Sequence, residues 1–194
     1  MEILDQVRPH RAVTTGVATL ASMVMLFIWG TAIAEPASAY AHSGCRAASS
    51  TISVYNGAAI TEYINATNQA IARWNAVAAK TTFTTTSSSS AATVNVTGLS
   101  SAESYWAVTS GTCAGGVFTS QIRLTWNSTT AHSLTATQKR MVGTHEFGHV
   151  QGLGHVTRTC SQTKAVMVQG SNKWTCGWGT EPWADDINGV NALY

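Results

Sequence analysis

His145-Glu146-Phe147-Gly148-His149-Val150-Gln151-Gly152-Leu153-Gly154-His155 is the stretch from which the rest of the chain can be read. Residues four apart on a helix share a face, so His145 and His149 can turn both imidazoles toward one point. Glu146 stands one step around that helix, within reach of the same point without being forced to occupy it. Gly152 tolerates a backbone reversal that a residue with a Cβ resists, and a reversal there returns His155 toward the first two histidines. Three histidines with a fourth position left open are the ligand set of a catalytic zinc site rather than a closed structural one. At about 5% per residue type, five fixed positions coincide by chance in well under about one chain in a thousand. His42 and His132 have no ligand spacing and read as ordinary surface or packing residues.

Upstream, Thr135-Ala136-Thr137-Gln138 matches a capping box, with Thr135 as cap and Gln138 reaching back. A helix is therefore expected from about Leu134, through Met141, Val142, Phe147 and Val150, to a stop at Gly152. Earlier still, Thr51–Tyr55 reads as a strand ending at Asn56-Gly57. Ile60, Ile64, Thr67, Ile71, Trp74, Val77 and Ala78 recur at helical spacing, which predicts a long amphipathic helix over Thr61–Ala79. Thr81–Ser90 is nearly all Thr and Ser and is compatible with an edge strand, a loop or both. Thr93–Thr97, ending at Gly98, Tyr105–Thr109 and the alternating run Val117–Trp126 read as further strands. A short terminal helix is expected from about Pro182 through Ile187, Val190 and Leu193. This order of strands and helices predicts an α/β or α+β domain.

The chain has 194 residues, of which 44% are hydrophobic and 10% charged, with a net charge of +2. That charge, without a basic stripe, gives no footprint for nucleic acid. Arg8, His10 and Arg11 precede an apolar run over Ala12–Ile33, and Ala37-Ser38-Ala39 follows it. The order predicts a secretory signal peptide over residues 1–39, a membrane anchor being the alternative, and a mature domain over 40–194. All four cysteines lie in that mature part, and an even count in an exported chain reads as two disulfides. Three connectivities are open. Cys160–Cys176, which closes a short loop, is favoured, leaving Cys45–Cys113. Carboxylates after residue 39 number six (Glu62, Glu103, Glu146, Glu181, Asp185, Asp186), too few and too scattered for a tightly held structural calcium.

The spacing H-E-x-x-H-x-x-G-x-x-H resembles that of the metzincin zinc proteases. Ala165-Val166-Met167-Val168 stands where that clan has its Met-turn, so Met167 is the candidate apolar floor of the site. Thr144-His145-Glu146-Phe147-Gly148-His149 and the tail Asp185–Tyr194 are similar to the matrixins within the clan. The resemblance is specific over about Leu134–Tyr194 and architectural over Ser50–Trp126. It implies an α+β catalytic domain: a twisted mixed sheet packed on two long helices, with a small C-terminal lobe holding the Met-turn and final helix. It also implies a secreted, monomeric endopeptidase with one Zn2+ on His145, His149 and His155 and with Glu146 as general base. A polypeptide substrate would lie extended along an edge strand, for which Tyr105–Thr109 is the candidate.

Three departures qualify the resemblance. Val156 stands where matrixins commonly carry Ser. No cysteine-bearing propeptide motif precedes Ser50. Gly111–Trp126 contains no Asp, Glu or His, so a structural calcium or second zinc is not expected. Trp174, Trp178 and Trp183 would either line the specificity pocket or pack the C-terminal lobe. Two other functions fit the same ligands: a non-catalytic binding module, for which retention of Glu146 would be unexpected, and a zinc hydrolase with a non-peptide substrate.

Overall fold

A computed structural model describes residues 40–194; the expected signal segment, including His10, lies outside the described residues. The elements run β1 (Ala41–His42), β2 (Thr51–Asn56), α1 (Thr61–Asn75), β3 (Thr82–Thr85), β4 (Val94–Leu99), β5 (Ala107–Ser110), β6 (Cys113–Ala114) and β7 (Val117–Phe118). They continue with β8 (Ile122–Asn127), α2 (Ser128–Ala131), α3 (Ala136–Val150), β9 (Leu153–Gly154), α4 (Asn172–Thr175) and α5 (Ala184–Leu193). A five-stranded mixed sheet has the order β3-β2-β4-β8-β5. β2, β3, β4 and β8 pair in parallel, and β5 pairs antiparallel with β8. Two adjacent parallel strands need a crossover, and α1 supplies it between β2 and β3. Among the described residues, β5 is left at the edge with one side unpaired.

The two long helices pack on each other through the core. Tyr63 and Trp126 stack with ring centroids 5.1 Å apart, and Phe83 meets Phe147 edge to face at 4.9 Å. The indole N–H of Trp74 on α1 donates to the carbonyl of Thr144 on α3 at 2.9 Å, and that of Trp126 to Thr67 Oγ1 at 3.2 Å. The indoles of Trp74 and Trp126 are thus buried with their N–H groups paired. α3 is buried on nearly every side, from Met141 through Gly148 without interruption.

The expected elements occur with shifted ends, and each shift has a local cause. α1 stops at Asn75 rather than Ala79. The Asn75 amide donates to the Phe83 carbonyl and its oxygen accepts from the Phe83 N–H, both at 2.8 Å, which turns the chain back into β3. Thr81–Ser90 resolves into edge strand β3 followed by loop. β4 runs past Gly98 to Leu99 because Gly98 stays in register with Trp126. The strand expected from Tyr105 begins at Ala107, since Glu103 and Tyr105 give their carbonyls to the buried Asn127 amide instead of to a ladder. The run Val117–Trp126 divides into β7, which hairpins onto β6, and β8.

α3 carries the capping box: Thr135 Oγ1 accepts from the Gln138 N–H at 3.2 Å, and Gln138 Oε1 accepts from the Thr135 N–H at 2.9 Å. It ends at Gly152, whose φ is +100°. A Cβ there would stand 2.7 Å from Arg46 Cβ and from Leu193 Cδ1. The N-terminal segment closes over this turn, with β1 pairing β9 and the Ser43 N–H donating to the Gly152 carbonyl at 2.8 Å. Cys45 is bonded to Cys113 and Cys160 to Cys176, across 68 and 16 residues. On a chain-entropy view the shorter loop stabilises by about 3 kcal/mol and the longer by about 4 kcal/mol.

Gly152→Ala combines a left-handed backbone with two close contacts. It is expected to lower the unfolding free energy by at least about 1–2 kcal/mol, measured by denaturant titration. An unchanged midpoint would show that the turn is not constrained.

Candidate metal centre

α3 presents His145 and His149 one turn apart, and the reversal at Gly152 brings back His155. The three Nε2 atoms lie 3.1 Å from one another in all three pairs. Each ring is oriented from behind or by its place in the turn. His145 Nδ1 faces the Val166 carbonyl at 2.9 Å, and His149 Nδ1 faces the Leu153 carbonyl at 2.7 Å. A carbonyl only accepts, so in both rings Nδ1 carries the proton and Nε2 presents a lone pair. Lone pairs aimed at one point repel unless they share a cation. An equilateral triangle of that edge has a circumradius of about 1.8 Å, so a zinc–nitrogen distance of about 2.0–2.1 Å can be met to all three from one point. The donor set therefore fits a zinc ion.

Protonation of the histidines is suppressed, which keeps them competent as ligands. Burial pushes the His145 pKa well below 6.5, and the charge of Lys173 adds to this. Burial also lowers His149 and, to a smaller buried extent, His155. Glu146 is buried beside them, and its pKa is raised by that burial against the opposing pull of a hydrogen bond from Thr109. The single Thr109 hydroxyl proton serves two acceptors of this residue, Oε2 at 2.9 Å and the backbone carbonyl at 3.0 Å. Thr109 belongs to β5, so the edge strand and the candidate base are linked directly.

Met167 lies beneath the helix. Its Sδ occupies the space a Cβ at Gly148 would need, so glycine at 148 lets the Met-turn approach α3. The turn is held by a residue the spacing did not single out. Asp186, on α5 and 1% exposed, accepts from the Val166 N–H at 2.8 Å, the Met167 N–H at 3.3 Å and the Trp183 N–H at 2.8 Å. Burial still raises its pKa to about 6 despite these bonds. Val166 thus receives Asp186 at its N–H and supports His145 with its carbonyl. Asn127 is a second such residue. It is fully buried, and it binds the Glu103 and Tyr105 carbonyls and the Ser101 and Thr129 N–H groups, fixing the approach to β5. Neither role had a signal beyond a polar residue in an otherwise apolar pattern.

A cleft of about 650 Å³ opens over the three histidines and Glu146, bounded by β5, Trp106, Val142, Gln169, Gly170 and Lys173. Cys45 and Cys113 stand at its other wall, so Cys45 is a disulfide partner and not a metal ligand. Of the three tryptophans considered for the pocket, none borders the cleft: Trp178 is buried, and Trp174 packs on Trp106 at 4.7 Å between centroids. His42 and His132 are exposed and apart from the site. Among the described residues, His145, His149 and His155 form the one group of His, Cys, Asp or Glu whose donor atoms converge.

The matrixin family model matches residues 48–194. No curated protein matches the chain. Among solved structures the chain is similar to one described as the GM1 bound form of the ECX AB5 holotoxin, at 12% identity and a TM-score of 0.47, covering 74% of this chain and 79% of that one. It is also similar to two structures of myroilysin. One has 17% identity and a TM-score of 0.43, covering 60% of this chain and 54% of that one. The other has 21% identity and a TM-score of 0.40, covering 78% and 62%. The chain thus spans less than two thirds of the myroilysin chains it resembles.

Two outcomes test the site's supports. Asp186→Ala leaves three backbone N–H groups without their acceptor and is expected to cost about 2–4 kcal/mol of stability and to weaken zinc binding. Calorimetry and metal titration of the purified variant would measure both, and wild-type values in both would remove Asp186 from the support. A histidine whose folded pKa is lowered binds its proton more readily in the unfolded chain. The stability His145 permits is therefore complete above pH 6.5 and is lost as the pH falls below that value. Thermal melts of metal-stripped protein should show wild type losing stability relative to His145→Leu between pH 6.5 and 5, and parallel curves would contradict the assignment.

Proposed function

Because the chain belongs to the matrixin family, with its metalloprotease fold, we propose that it is a secreted zinc-dependent endopeptidase in which Glu146 is the general base. The observation that carries this reading is the convergence of His145, His149 and His155 Nε2 in a cleft that also contains the buried Glu146 carboxyl. Residues 40–194 are the catalytic domain in this reading. Two disulfides suit an oxidising compartment, and no helix of the described residues is long and apolar enough to cross a membrane.

His145, His149 and His155 would hold the zinc, which when bound makes water acidic enough to attack near neutral pH and offsets the charge that develops on the carbonyl oxygen. Glu146 accepts the proton of the attacking water at its carboxylate and delivers it to the leaving amine nitrogen. Its burial-raised pKa suits a group that must hold a proton between those two events. Thr109 orients the carboxylate through Oε2. The substrate backbone would extend β5 on its free side, pairing along Ala107–Ser110 and so passing Glu146.

Glu146→Ala is expected to lower turnover of an unfolded protein substrate by about a hundredfold or more while retaining one zinc per chain. His149→Ala is expected to lose both zinc and turnover. Cleavage assays and metal analysis on the same oxidised samples of residues 40–194 decide this. Zinc without cleavage in the wild type would favour a binding module, and cleavage of ester but not peptide substrates would favour a different hydrolase.

A further inference from the structure

Two of the side chains that line the cleft are scarcely reached by bulk water. Val142 lies one turn before Glu146 on α3, and Lys173 lies on α4; each is 3% exposed. A lysine in such a place needs acceptors for three N–H groups. One donates to the Val168 carbonyl at 2.8 Å. The next nearest polar atom is His145 Nδ1 at 3.3 Å, but that nitrogen already gives its proton to the Val166 carbonyl and cannot accept. Neither neighbouring carboxylate, Asp186 or Glu146, forms a hydrogen bond or ion pair with Lys173 among the described residues. The cleft is thus lined by a buried lysine with donor capacity to spare. α4, which carries it, is anchored on both sides: the neighbouring Trp174 packs on Trp106, and Cys176 is bonded to Cys160.

We propose that Lys173, in the lining of the cleft, is a specificity-determining residue whose Nζ selects a substrate side chain ending in a carboxylate, next to the bond that is cut. This rests on the endopeptidase reading for the position of that bond. A carboxylate entering beside Val142 would supply the acceptor Lys173 lacks and would be charge-assisted in a site sheltered from water. An apolar side chain of equal size would leave the ammonium unpaired, and a cationic one would meet it as a like charge. Lys173 does not touch the reacting atoms in this scheme.

The test uses oxidised protein of residues 40–194 and peptides identical except for Glu, Gln, Leu or Lys at either of the two residues flanking the cut. Wild type is expected to show about a tenfold or greater advantage in kcat/KM for Glu over Leu at one of these positions, with Lys the poorest. Lys173→Met should abolish or invert that ratio while still cleaving the Leu peptide. A uniform loss across the series would instead assign Lys173 a structural role and overturn the proposal. Lys173→Gln keeps a donor for Val168 without the charge and should shift the preference from Glu toward Gln. If neither variant folds, the wild-type series decides alone, equal rates for Glu and Leu refuting the idea. Calorimetric binding of the same peptides to Glu146→Ala separates the two readings. Glu-selective binding that depends on Lys173, without cleavage of any peptide by wild type, keeps this inference and removes the protease. Cleavage with no selectivity in either assay keeps the protease and removes this inference.

Discussion

One carboxylate in the last helix sets the height of the floor beneath the histidines. Asp186 collects three backbone N–H groups, two of them from the Met-turn, and the middle of that turn returns a carbonyl to His145. The ring of His145 can be oriented only if Val166 is placed, and Val166 is placed by a residue 20 positions further along the chain. Met167 fills the hollow that Gly148 leaves under α3. The imidazole geometry is therefore a property of packing between α3, the turn and α5 together. Burial of the carboxylate opposes its ionisation, and the three hydrogen bonds offset part of that cost.

The other half of the cleft is built on the sheet. β5 is antiparallel in a sheet otherwise parallel, because it enters from the loop that Asn127 holds rather than through a helical crossover. Its free side faces the cleft, and its Thr109 reaches Glu146. Trp106, just before the strand, meets Trp174 in α4. The strand edge, the carboxyl group and the wall that carries Lys173 are thus tied to one another by contacts that do not pass through the histidines.

Local signals were read best. The capping box at Thr135, the four-residue step from His145 to His149 and the glycine that ends α3 are all contained within about one helix, whereas the matrixin family model matches far beyond it, over residues 48–194. A sheet with helices was also legible, from β-branched runs and a helical period, whereas its mixed pairing on two long helices was implied by the matrixin resemblance. What the sequence did not disclose depends on partners distant along the chain. Asn75 ends α1 by bonding Phe83, and Asn127 delays β5 by taking two carbonyls. Both are amides whose roles appear only once the strands are assembled. Lys173 is the extreme case: nothing in its Gly- and Trp-rich segment singles it out, yet it is buried and lines the cleft.

The free edge of β5 has a further consequence for the molecule in concentrated solution. An unpaired strand is a template for any extended chain, including another copy of the same protein. Here the exposed ladder is four residues long, and the Cys45–Cys113 bond stands against the same cleft just beyond it. A folded neighbour bringing its own strand would gain a ladder of only that length before meeting the disulfide wall. In the proposed reading, a loose peptide would gain the ladder and the cleft besides. In the proposed reading, an edge of four residues would suit an unfolded chain and give a folded copy little to pair with.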